Sequence, residues 1–513
     1  MNKKVNLDQG TDLPEKFILT DEFKKLHDKI ENTCSNLFIT GKAGCGKSTL
    51  LEYFRQNTNK NYAIVAPTGL TAIKARGMTI HSFFKLPPRF IQKQDVKMMK
   101  DPAVLKKLDI LLIDECSMMR ADILDGIDES LRKNRGSKKV FGGVQIILFG
   151  DLLQLAPVVS STEESSVKEV YADGSYFFNA NVFNKAEFQT NELTKIFRQS
   201  DEEFINLLNK FRIAKIDEKD LSLINERFQG EDFEPPEGVI MLATRNDKVD
   251  SINNSKLNEI DSRLFEYEAE IKGTFKESEY PAPKTLKLKV GAQVMLTKND
   301  TNSEPRKWVN GTLATVDELG SNFIKVKIKD KILTVGKNRW EKYDYKIDGG
   351  SITHKVVATF LQYPLKLAWA STIHKCQGQT FDKVAIDFDR GSFAHGQTYV
   401  ALSRARTIEG IYLMREITFK DLIFDNKVFS FLGNELEKKY MDEIDNKKNT
   451  KKVTSSKKIE EPESDIEAVE WSKEDDKKLI MLYKKNVPEH ALANIFKKRR
   501  TEIRARILKI INI

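Results

Sequence analysis

The first group of residues suited to a chemical task is a glycine-rich loop near the N-terminus. Gly41 is followed, after four residues, by Gly46, Lys47 and Ser48, and the apolar run 37–39 comes just before it. In this pattern backbone N–H groups close round phosphates at the start of a helix, the lysine reaches the outer phosphates and the hydroxyl binds Mg²⁺. The spacing predicts a nucleoside triphosphate site, although a chance glycine-rich turn would look the same in isolation.

Two adjacent carboxylates follow the apolar run 108–113. Asp114 is suited to hold Mg²⁺, directly or through water, and Glu115 to orient and deprotonate the water that attacks the γ-phosphate. An isolated Asp-Glu pair is more often a solvated surface. Its position at a strand end, about 70 residues after the glycine-rich loop, favours the catalytic interpretation.

A glutamine and three arginines complete the candidates for phosphate chemistry. Gln154 and Asp151 end another apolar run, and Gln154 is a candidate for sensing the γ-phosphate, with a structural turn as the alternative. Arg198, Arg404 and Arg406 are candidates for balancing the charge that develops during phosphoryl transfer, although most arginines are solvated or pair locally. A site that needs arginines from a second block of the chain is complete only when the two blocks close.

The motifs stand at the ends of strand-like runs, which predicts how the chain positions them. Runs at 61–66, 108–113 and 144–149 each end in a polar motif. Alternating strands and helices form parallel α/β sheets, and ligands collect at the carboxyl ends of such strands. A second block of this kind starts near Asn191. It is interrupted over about 267–363, where alternating apolar and polar residues predict half-buried strands and a small β-barrel.

Length and composition indicate a multidomain protein without a membrane segment. A chain of 513 residues exceeds the size of one hydrophobic core, no apolar run approaches the roughly 20 residues that span a bilayer, and the N-terminus lacks the apolar segment of a signal peptide. The four cysteines have no metal-like spacing, so neither a disulfide framework nor a zinc site is expected. The expected location is the cytoplasm, at the nucleoid if the source is bacterial.

Positive charge is concentrated at the C-terminal end. The chain carries a net charge of +9, and residues 471–513 hold 12 Lys or Arg against 5 Asp or Glu, which accounts for +7 of it. Residues 434–470 are charged and poor in apolar residues, which predicts a linker. Capping residues, a proline and an apolar-basic run then predict three short helices, and a basic unit of this kind suits a polyanion.

As an ordered set, the motifs resemble those of superfamily 1 helicases of the Pif1 family, with RecD as a relative. GKAGCGKST, APTGLTA, GMTIHSFF, LLIDECSM, FGDLLQLAPV, IFRQ, STIHKCQGQTF and TYVALSRAR match family motifs in order, and the resemblance covers about residues 19–433. It implies an α/β fold with two RecA-like P-loop motor domains, a small SH3-like β-barrel insert and a C-terminal three-helix module. The implied domains are motor domain 1A at 1–190 with a small wedge at about 84–105, motor domain 2A at 191–266 and 364–433, the SH3-like domain 2B at 267–363, the linker at 434–470 and a helix-turn-helix or Myb-like module at 471–513.

The resemblance also implies which residues form the ATP site. Catalysis is assigned to Lys47, Glu115, Gln154, Arg198 and Arg404, and Mg²⁺ binding to Ser48 and Asp114. Contacts to the nucleotide are implied for Gly41, Ala43, Gly44, Cys45, Gly46, Lys47, Ser48, Thr49, Gln154, Arg198, Gly378 and Arg404. Arg406 receives no role.

A path for single-stranded DNA is implied in the same way. The residues concerned are Pro67, Thr68, Gly69, Thr79, His81 and Ser82 in the first motor domain, and Asn246, Met295, Asn310, Gly311, His374, Lys375, Gln377 and Gly378 in the second. Backbone amides and short hydroxyls bind phosphates without reading sequence, and bases stack on apolar or aromatic side chains. Taken alone, His81 would be interpreted as a structural histidine.

Two positions depart from the family pattern, and the C-terminal module allows two interpretations. Phe23 stands where the family often has a glutamine that recognises adenine, which leaves adenine selectivity open, and Ala156 replaces a common proline. In the C-terminal module, Arg504 and Arg506 on the third helix are expected to contact DNA. A bundle that docks a protein is the alternative.

Together these features predict a helicase that uses ATP and Mg²⁺, translocates 5′ to 3′ on single-stranded DNA and unwinds duplex, forked or G-quadruplex DNA as a monomer without membrane contact. The direction follows from the resemblance. The alternatives are an RNA- or hybrid-directed or protein-displacing translocase, and a nucleotide-switched DNA-binding adaptor. The intact set of Lys47, Glu115 and Arg404 argues against the adaptor.

Overall fold

The computed structural model describes most of the chain up to Gly433. The described residues are 13, 17–160, 162–195, 197, 201–230, 233–300, 303 and 306–433, with the isolated positions 475, 479, 492, 496 and 506. The chain divides into two units, Met1–Met441 and Asp442–Ile513. Both parallel sheets and the insert belong to the first unit.

The first sheet has six strands. They are β1 (Leu37–Gly41), β2 (Tyr62–Ala66), β3 (Met78–Thr79), β4 (Ile110–Ile113), β5 (Gln145–Phe149) and β6 (Gln189–Leu193), in the spatial order β3-β2-β4-β5-β1-β6. All pairings are parallel. Along β4, Ile110 and Leu112 join one buried apolar cluster and Leu111 and Ile113 join another. Because alternate residues of a strand face opposite sides, this run of four apolar residues fits a sheet that is covered on both faces.

Seven helices accompany this sheet. They are α1 (Asp21–Asn32), α2 (Lys47–Asn57), α3 (Gly69–Lys74), α4 (Ile80–Phe84), α5 (Ala103–Lys107), α6 (Ala121–Arg135) and α7 (Glu164–Val170). Local sequence sets several of their ends. Thr20 caps α1 by accepting a hydrogen bond from Phe23 N at 3.2 Å, and Gly136 ends α6 in a left-handed conformation with φ +61°.

The second half of the first unit starts with two helices, a strand and a helix. These are α8 (Glu202–Arg212), α9 (Glu218–Asn225), β7 (Ile240–Ala243) and α10 (Asn246–Glu259). The chain then enters an insert whose described pairings are all antiparallel. Its strands are β8 (Phe265–Glu268), β9 (Glu270–Lys272), β10 (Thr285–Leu288), β11 (Gln293–Leu296), β12 (Leu313–Leu319), β13 (Ile324–Ile328), β14 (Lys331–Val335), β15 (Asn338–Asp348), β16 (Ser351–Gln362) and β17 (Leu365–Leu367).

After the insert the chain completes a second parallel sheet. The remaining elements are β18 (Ala370–Thr372), β19 (Val384–Asp387), α11 (Gln397–Leu402) and β20 (Ile411–Leu413), and the strand order is β18-β7-β19-β20. All of its pairings are parallel. The predicted α/β class with two parallel sheets is thus confirmed. The SH3-like character of the insert stays a prediction.

Strand pairing shows where the sheets begin and end relative to the predicted domains. β6 pairs with β1, so the first sheet extends past the predicted boundary at 190. β17 pairs with β11, so a strand after the boundary at 363 belongs to a sheet of the insert. The boundary near 191 was placed at the start of the second α/β block, and the boundary at 363 at the end of the segment without helical periodicity.

A long hairpin of the insert, β15 and β16, packs on the first sheet. The hydroxyl of Tyr345 accepts a hydrogen bond from Ile64 N at 2.7 Å and donates one to Ile64 O at 3.1 Å. The side chain of Asn61 also accepts from Ile352 N at 3.1 Å. β3 pairs with β2 only at Val65 and Ala66, so Tyr345 satisfies backbone groups on β2 that the short β3 does not reach. Nothing in the sequence of the insert indicated this attachment.

The second unit is described only at isolated positions. Asp475, Leu479, Leu492, Phe496 and Arg506 are helical, and Leu479 and Leu492 are buried. The predicted linker at 434–470 lies outside the described residues. Across the part of the chain that is described, no helix has the length and apolar character needed to cross a bilayer.

Candidate nucleotide and nucleic-acid site

The glycine-rich loop joins β1 to α2 at the carboxyl edge of the first sheet. Gly46 caps α2 with φ +89°, and a Cβ at this position would come 2.9 Å from Cζ of Phe23, so both the backbone and the space require glycine. Lys47 begins α2. Its Nζ donates to the carbonyl oxygens of Gly41 at 2.7 Å and Lys42 at 3.2 Å, which holds the ammonium against the loop.

The two carboxylates follow β4 at the same edge. Asp114 N donates to Val65 O at 3.0 Å, and Asp114 Oδ1 accepts from Glu115 N at 3.0 Å. Glu115 has φ +50°, a left-handed conformation that costs a non-glycine residue about 1–3 kcal/mol. Such strain persists where the surrounding fold imposes it. Here the left-handed conformation turns the chain at Glu115, two residues after the end of β4.

Protein surrounds both carboxylates, although each keeps some contact with solvent. Burial, and then the charge of Asp114, raises the pKa of Glu115 to about 7. Burial also raises the pKa of Asp114, against the nearby ammonium groups of Lys47 and Lys74. A carboxylate whose pKa lies near neutral pH is well matched to take a proton from water.

The loop after β5 holds its glutamine through a buried aspartate. Asp151 is 1% exposed, and its Oδ2 accepts from Gln154 Nε2 at 2.9 Å. Its Oδ1 accepts from Leu153 N at 3.2 Å and from Nη2 of Arg212 at 3.0 Å. The amide nitrogen of Gln154 is thereby engaged, which leaves its oxygen to face the second sheet.

Gln377, from the loop after β18, links the second sheet to these groups. Its Nε2 lies 3.1 Å from Gln154 Oε1 and 3.4 Å from Glu115 Oε2. The resemblance implied a DNA contact for Gln377, but the structure brings it to the carboxylate and glutamine of the ATP site. A single side chain of the second sheet therefore bridges two candidate catalytic groups of the first.

A tyrosine of the second sheet contacts the glycine-rich loop directly. The hydroxyl of Tyr399 on α11 accepts from Ala43 N at 3.2 Å. Just before α11, a Cβ on Gly396 would come 2.5 Å from the carbonyl oxygens of Leu153 and Gln154, so this segment packs closely on the loop after β5. α11 therefore fixes the second sheet against both loops of the first.

The structure separates the three candidate arginines. Arg404 is fully buried, and its guanidinium donates to Val400 O at 2.8 Å, Gln379 O at 3.0 Å and Ser403 Oγ at 2.7 Å, among other contacts. These three partners belong to its own motor domain. Arg406 is exposed and pairs with Asp382 at 3.2 Å, as a solvated arginine would. Arg198 lies outside the described residues.

The residues implied for Mg²⁺ fit that ion. Ser48 is exposed in the first turn of α2, and Asp114 offers one carboxylate at the edge of the sheet. Within the described ranges, no cluster of three or more His, Cys, Asp or Glu side chains forms a metal cage. Mg²⁺ bound with nucleotides commonly uses one or two protein groups and takes its other ligands from phosphates and water.

Aromatic rings lie beside the glycine-rich loop where a nucleobase would be expected. Phe23 is buried against Gly46, and its ring centroid lies 6.5 Å from that of Phe197, whose ring is largely exposed. Lys195 lies over the ring of Phe197 at 5.3 Å. A ring stacks on any base, so this wall by itself does not select adenine.

In the first motor domain, the residues implied for DNA cap two short helices. Thr68 Oγ1 accepts from Thr71 N at 3.3 Å, and Thr79 Oγ1 accepts from Ser82 N at 3.2 Å and donates to Ser82 Oγ at 2.8 Å. Their hydroxyls thus have a structural role that the sequence analysis did not assign. Pro67, Gly69 and His81 lie close by, all half-buried. Burial, and then Arg120, lowers the pKa of His81, so it is neutral at physiological pH.

In the second motor domain the implied DNA residues differ in accessibility. Asn246, Lys375 and Gly378 are exposed, whereas Asn310 and His374 are half-buried. Gly311 is buried, with a Cβ position 3.4 Å from Gln379. Met295 is 0% exposed within the apolar cluster of the second sheet, so its side chain is not accessible in this arrangement and its implied DNA contact stays a prediction. Arg504 lies outside the described residues, and Arg506 is half-buried.

Sequence reasoning missed Arg212 and Tyr399. Both lie in helices. Arg212 lies outside the quoted motifs, whereas Tyr399 lies within TYVALSRAR, in which Tyr399 itself was given no role. One feature of the sequence could have indicated Arg212: it is a charged residue at the end of the apolar face of α8, which is formed by Phe204, Leu207, Leu208 and Phe211. Such an arginine suggests a buried ion pair but does not identify the partner.

The chain is similar to known helicases in sequence. Residues 18–222 match the family model described as PIF1-like helicase. The ATP-dependent DNA helicase Pif1 of Bdellovibrio bacteriovorus is 32% identical over 411 residues, which cover 77% of this chain and 88% of that protein. The ATP-dependent DNA helicase PIF1 of Danio rerio is 34% identical over 391 residues, 74% of this chain and 58% of that one. The chain therefore spans little more than half the length of the vertebrate relative.

The similarity extends to solved structures of a Bacteroides protein. Unliganded Pif1 from Bacteroides sp is 40% identical, with a TM-score of 0.75, and the match covers 81% of this chain and 96% of that one. The Bacteroides helicase in complex with ADP-AlF3 and single-stranded DNA matches at 40% identity over 82% of this chain and 98% of that one, with a TM-score of 0.60. The complex of the Bacteroides helicase with ADP-AlF4 matches at 38% identity with a TM-score of 0.76.

Proposed function

Because the chain belongs to the PIF1-like helicase family, we propose that it is an ATP-dependent DNA helicase that translocates 5′ to 3′ on single-stranded DNA. One observation carries the proposal: Glu115 and Gln154, at the edge of the first sheet that also holds Lys47, meet Gln377 of the second sheet. Hydrolysis at such a cleft depends on how the two sheets face each other. A cycle of hydrolysis therefore moves one motor domain relative to the other.

The residues of the cleft supply the parts that phosphoryl transfer needs. Lys47 balances phosphate charge, and Glu115 orients the attacking water and accepts its proton. Gln154 presents its amide oxygen toward the same place because Asp151 holds its nitrogen. Ser48 and Asp114 would hold Mg²⁺, which neutralises phosphate charge when bound.

The proposed DNA path runs over both motor domains. The proposal is supported by short hydroxyl side chains, by the exposed residues Asn246 and Gly378, and by Lys375. Such groups can bind the DNA phosphates without a preference for base sequence. The related Bacteroides helicase has been solved with single-stranded DNA. We propose single-stranded DNA next to a duplex, fork or G-quadruplex as the substrate and a monomer as the active form.

The test of the proposal is Glu115→Gln. The amide keeps the size and most contacts of the carboxylate but cannot take the proton, so nucleotide and DNA binding should persist while hydrolysis falls by about 10²-fold or more. Steady-state ATPase with single-stranded DNA measures turnover, and fluorescent nucleotide and DNA titrations measure binding. Near-normal turnover would reject the catalytic role of Glu115.

A matched control and a substrate panel complete the experiment. Glu164→Gln changes an exposed glutamate of the same domain that pairs only locally with Lys168, and it should leave turnover unchanged. Strand displacement on 5′-tailed, 3′-tailed, forked and G-quadruplex DNA, with an RNA duplex of equal length, then tests polarity and substrate class. Unwinding of the RNA duplex alone would favour the RNA-directed translocase.

A further inference from the structure

Arg212 crosses from the second motor domain into the loops of the first. It is the last residue of α8, whose apolar face packs in the core cluster of the second sheet. Its Nη2 donates to Asp151 Oδ1 at 3.0 Å, and its Nη1 lies 4.0 Å from Glu192 Oε1 on β6. Both carboxylates belong to the first sheet or its loops. The guanidinium is therefore held by the domain opposite to its own helix.

The ion pair between Arg212 and Asp151 is buried. The two residues are 7% and 1% exposed. Burial alone would raise the pKa of Asp151, but the charges of Arg212 and Lys47 hold it below its ordinary value. Removing one partner of such a pair leaves the other as an uncompensated buried charge, which is strongly unfavourable. Asp151 therefore keeps its position only while Arg212 is in place.

Asp151 in turn controls the orientation of Gln154. With Oδ1 bound to Arg212 and to Leu153 N, Oδ2 is left to accept from Gln154 Nε2 at 2.9 Å. This contact fixes which end of the amide is anchored. The oxygen of Gln154 then faces Gln377, and Gln377 reaches Glu115. A continuous path of polar contacts connects α8 to the candidate general base.

We propose that Arg212 is a positioning residue for ATP hydrolysis, which acts through Asp151 to orient Gln154 and which does so only while the two motor domains are closed. The proposal rests on the proposed function and adds a residue outside its motifs. In this role Arg212 acts through Asp151, its hydrogen-bond partner at 3.0 Å. It makes the orientation of Gln154 depend on the position of the second motor domain, so turnover responds to closure of the cleft.

The experiment is a double-mutant cycle between Arg212→Met and Gln154→Ala. In the otherwise unchanged protein, Arg212→Met should lower kcat by about 30-fold or more, while nucleotide affinity changes by less than about 3-fold. In the Gln154→Ala protein the same change should lower kcat by less than about 3-fold, because the orientation that it disturbs is already lost. A structural role alone would give the same fold-loss in both backgrounds, and that result would overturn the proposal.

Two further variants keep the test interpretable. Arg212→Lys retains the charge and should have a higher kcat than Arg212→Met. If circular dichroism and thermal melting show that Arg212→Met does not fold, Arg212→Lys replaces it in the double-mutant cycle. Glu203→Gln changes an exposed residue of the same helix, at its opposite end, and should leave kcat within about 2-fold. An inactive parent protein would refute the proposed function, whereas an active parent with an unaffected Arg212→Met variant would refute only the role of Arg212.

Discussion

The two parallel sheets contribute to the same cleft in different ways. The first sheet places Lys47, Asp114 and Gln154 in loops that directly follow its strands, so each group is close in sequence to the strand that positions it. The second sheet contributes through Arg212 and Tyr399, which lie on helices and contact the loops of the first. The comparison teaches that groups with a chemical task follow the strands of the first sheet, whereas the groups that hold them lie on helices of the second motor domain, within a motif for Tyr399 and outside any motif for Arg212.

The largest effect in this comparison is expected from Arg404→Ala. If Arg404 balances transition-state charge across the cleft, turnover should fall by about 10²-fold or more, with a small change in nucleotide affinity. Because Arg404 also binds carbonyl oxygens of its own sheet, its loss should lower stability by about 1–3 kcal/mol. Single-turnover hydrolysis, nucleotide titration and thermal melting separate these effects.

Arg404→Lys is the matched control for this prediction. The lysine keeps one charge and part of the contact to the carbonyl oxygens, so it should recover stability more than turnover. An equal loss of affinity and turnover in Arg404→Ala would identify Arg404 as an anchor of bound nucleotide. The second sheet would then also contribute a group whose main task is binding.

An intermediate effect is expected from Tyr345→Phe, which tests whether the insert is attached to the first sheet. Loss of the hydroxyl leaves the backbone N–H and C=O of Ile64 without that partner, and we expect the free energy of unfolding to fall by about 1–3 kcal/mol. ATPase should change little, because Tyr345 contacts no residue of the cleft described above. Denaturant unfolding measures the first quantity and steady-state ATPase the second.

Tyr343→Phe is the control on the same hairpin. The hydroxyl of Tyr343 donates to Glu341 two residues away, so its loss should cost less than about 0.5 kcal/mol. Equal losses from the two variants would show that the hydroxyl of Tyr345 has no special part in holding the insert to the first sheet.

The smallest effect on catalysis is expected from removal of residues 435–513. Every motif of the two sheets precedes this segment, so DNA-stimulated ATPase and polarity should be unchanged. Within this segment, residues 471–513 form a basic unit with a net charge of +7, so its loss should weaken binding to a duplex junction and flatten the dependence of log affinity on log salt. Salt titrations of the full-length and shortened proteins measure both quantities.

Charge reversal at Arg504 and Arg506 refines this last prediction. The double variant should reproduce the shallower salt dependence if these arginines contact DNA. Identical slopes for full-length and shortened proteins would instead support the alternative, in which the C-terminal module docks a protein.

The sequence predicted those site residues whose positions are set by neighbouring residues in the chain. An apolar run that ends in a polar motif fixes both a strand and the location of its functional group, as for β4 and Asp114. Gln377 and Glu115 are separated by 262 positions, and their contact depends on how the two sheets face each other. Motif spacing carries no information on that arrangement, so Gln377 was assigned to DNA alone.

Met295 and Tyr345 show the same limit for packing. Met295 was assigned to the DNA path by the resemblance, but its side chain is buried in the apolar cluster of the second sheet. Tyr345 fits a half-buried strand from its sequence, yet its hydroxyl completes β2, 281 positions earlier. In both cases the environment is supplied by a distant part of the chain.

The hairpin anchored at Ile64 has a kinematic consequence for the motor. The insert leaves the second motor domain after α10 and returns to it at β18. The two motor domains are therefore connected at two places: by the chain that follows β6, and by the hairpin through Tyr345. When one domain is attached to another at two points, the rotation that preserves both attachments is the one about the line that joins them. Rotation of the second motor domain about that line keeps the two hydrogen bonds of Tyr345.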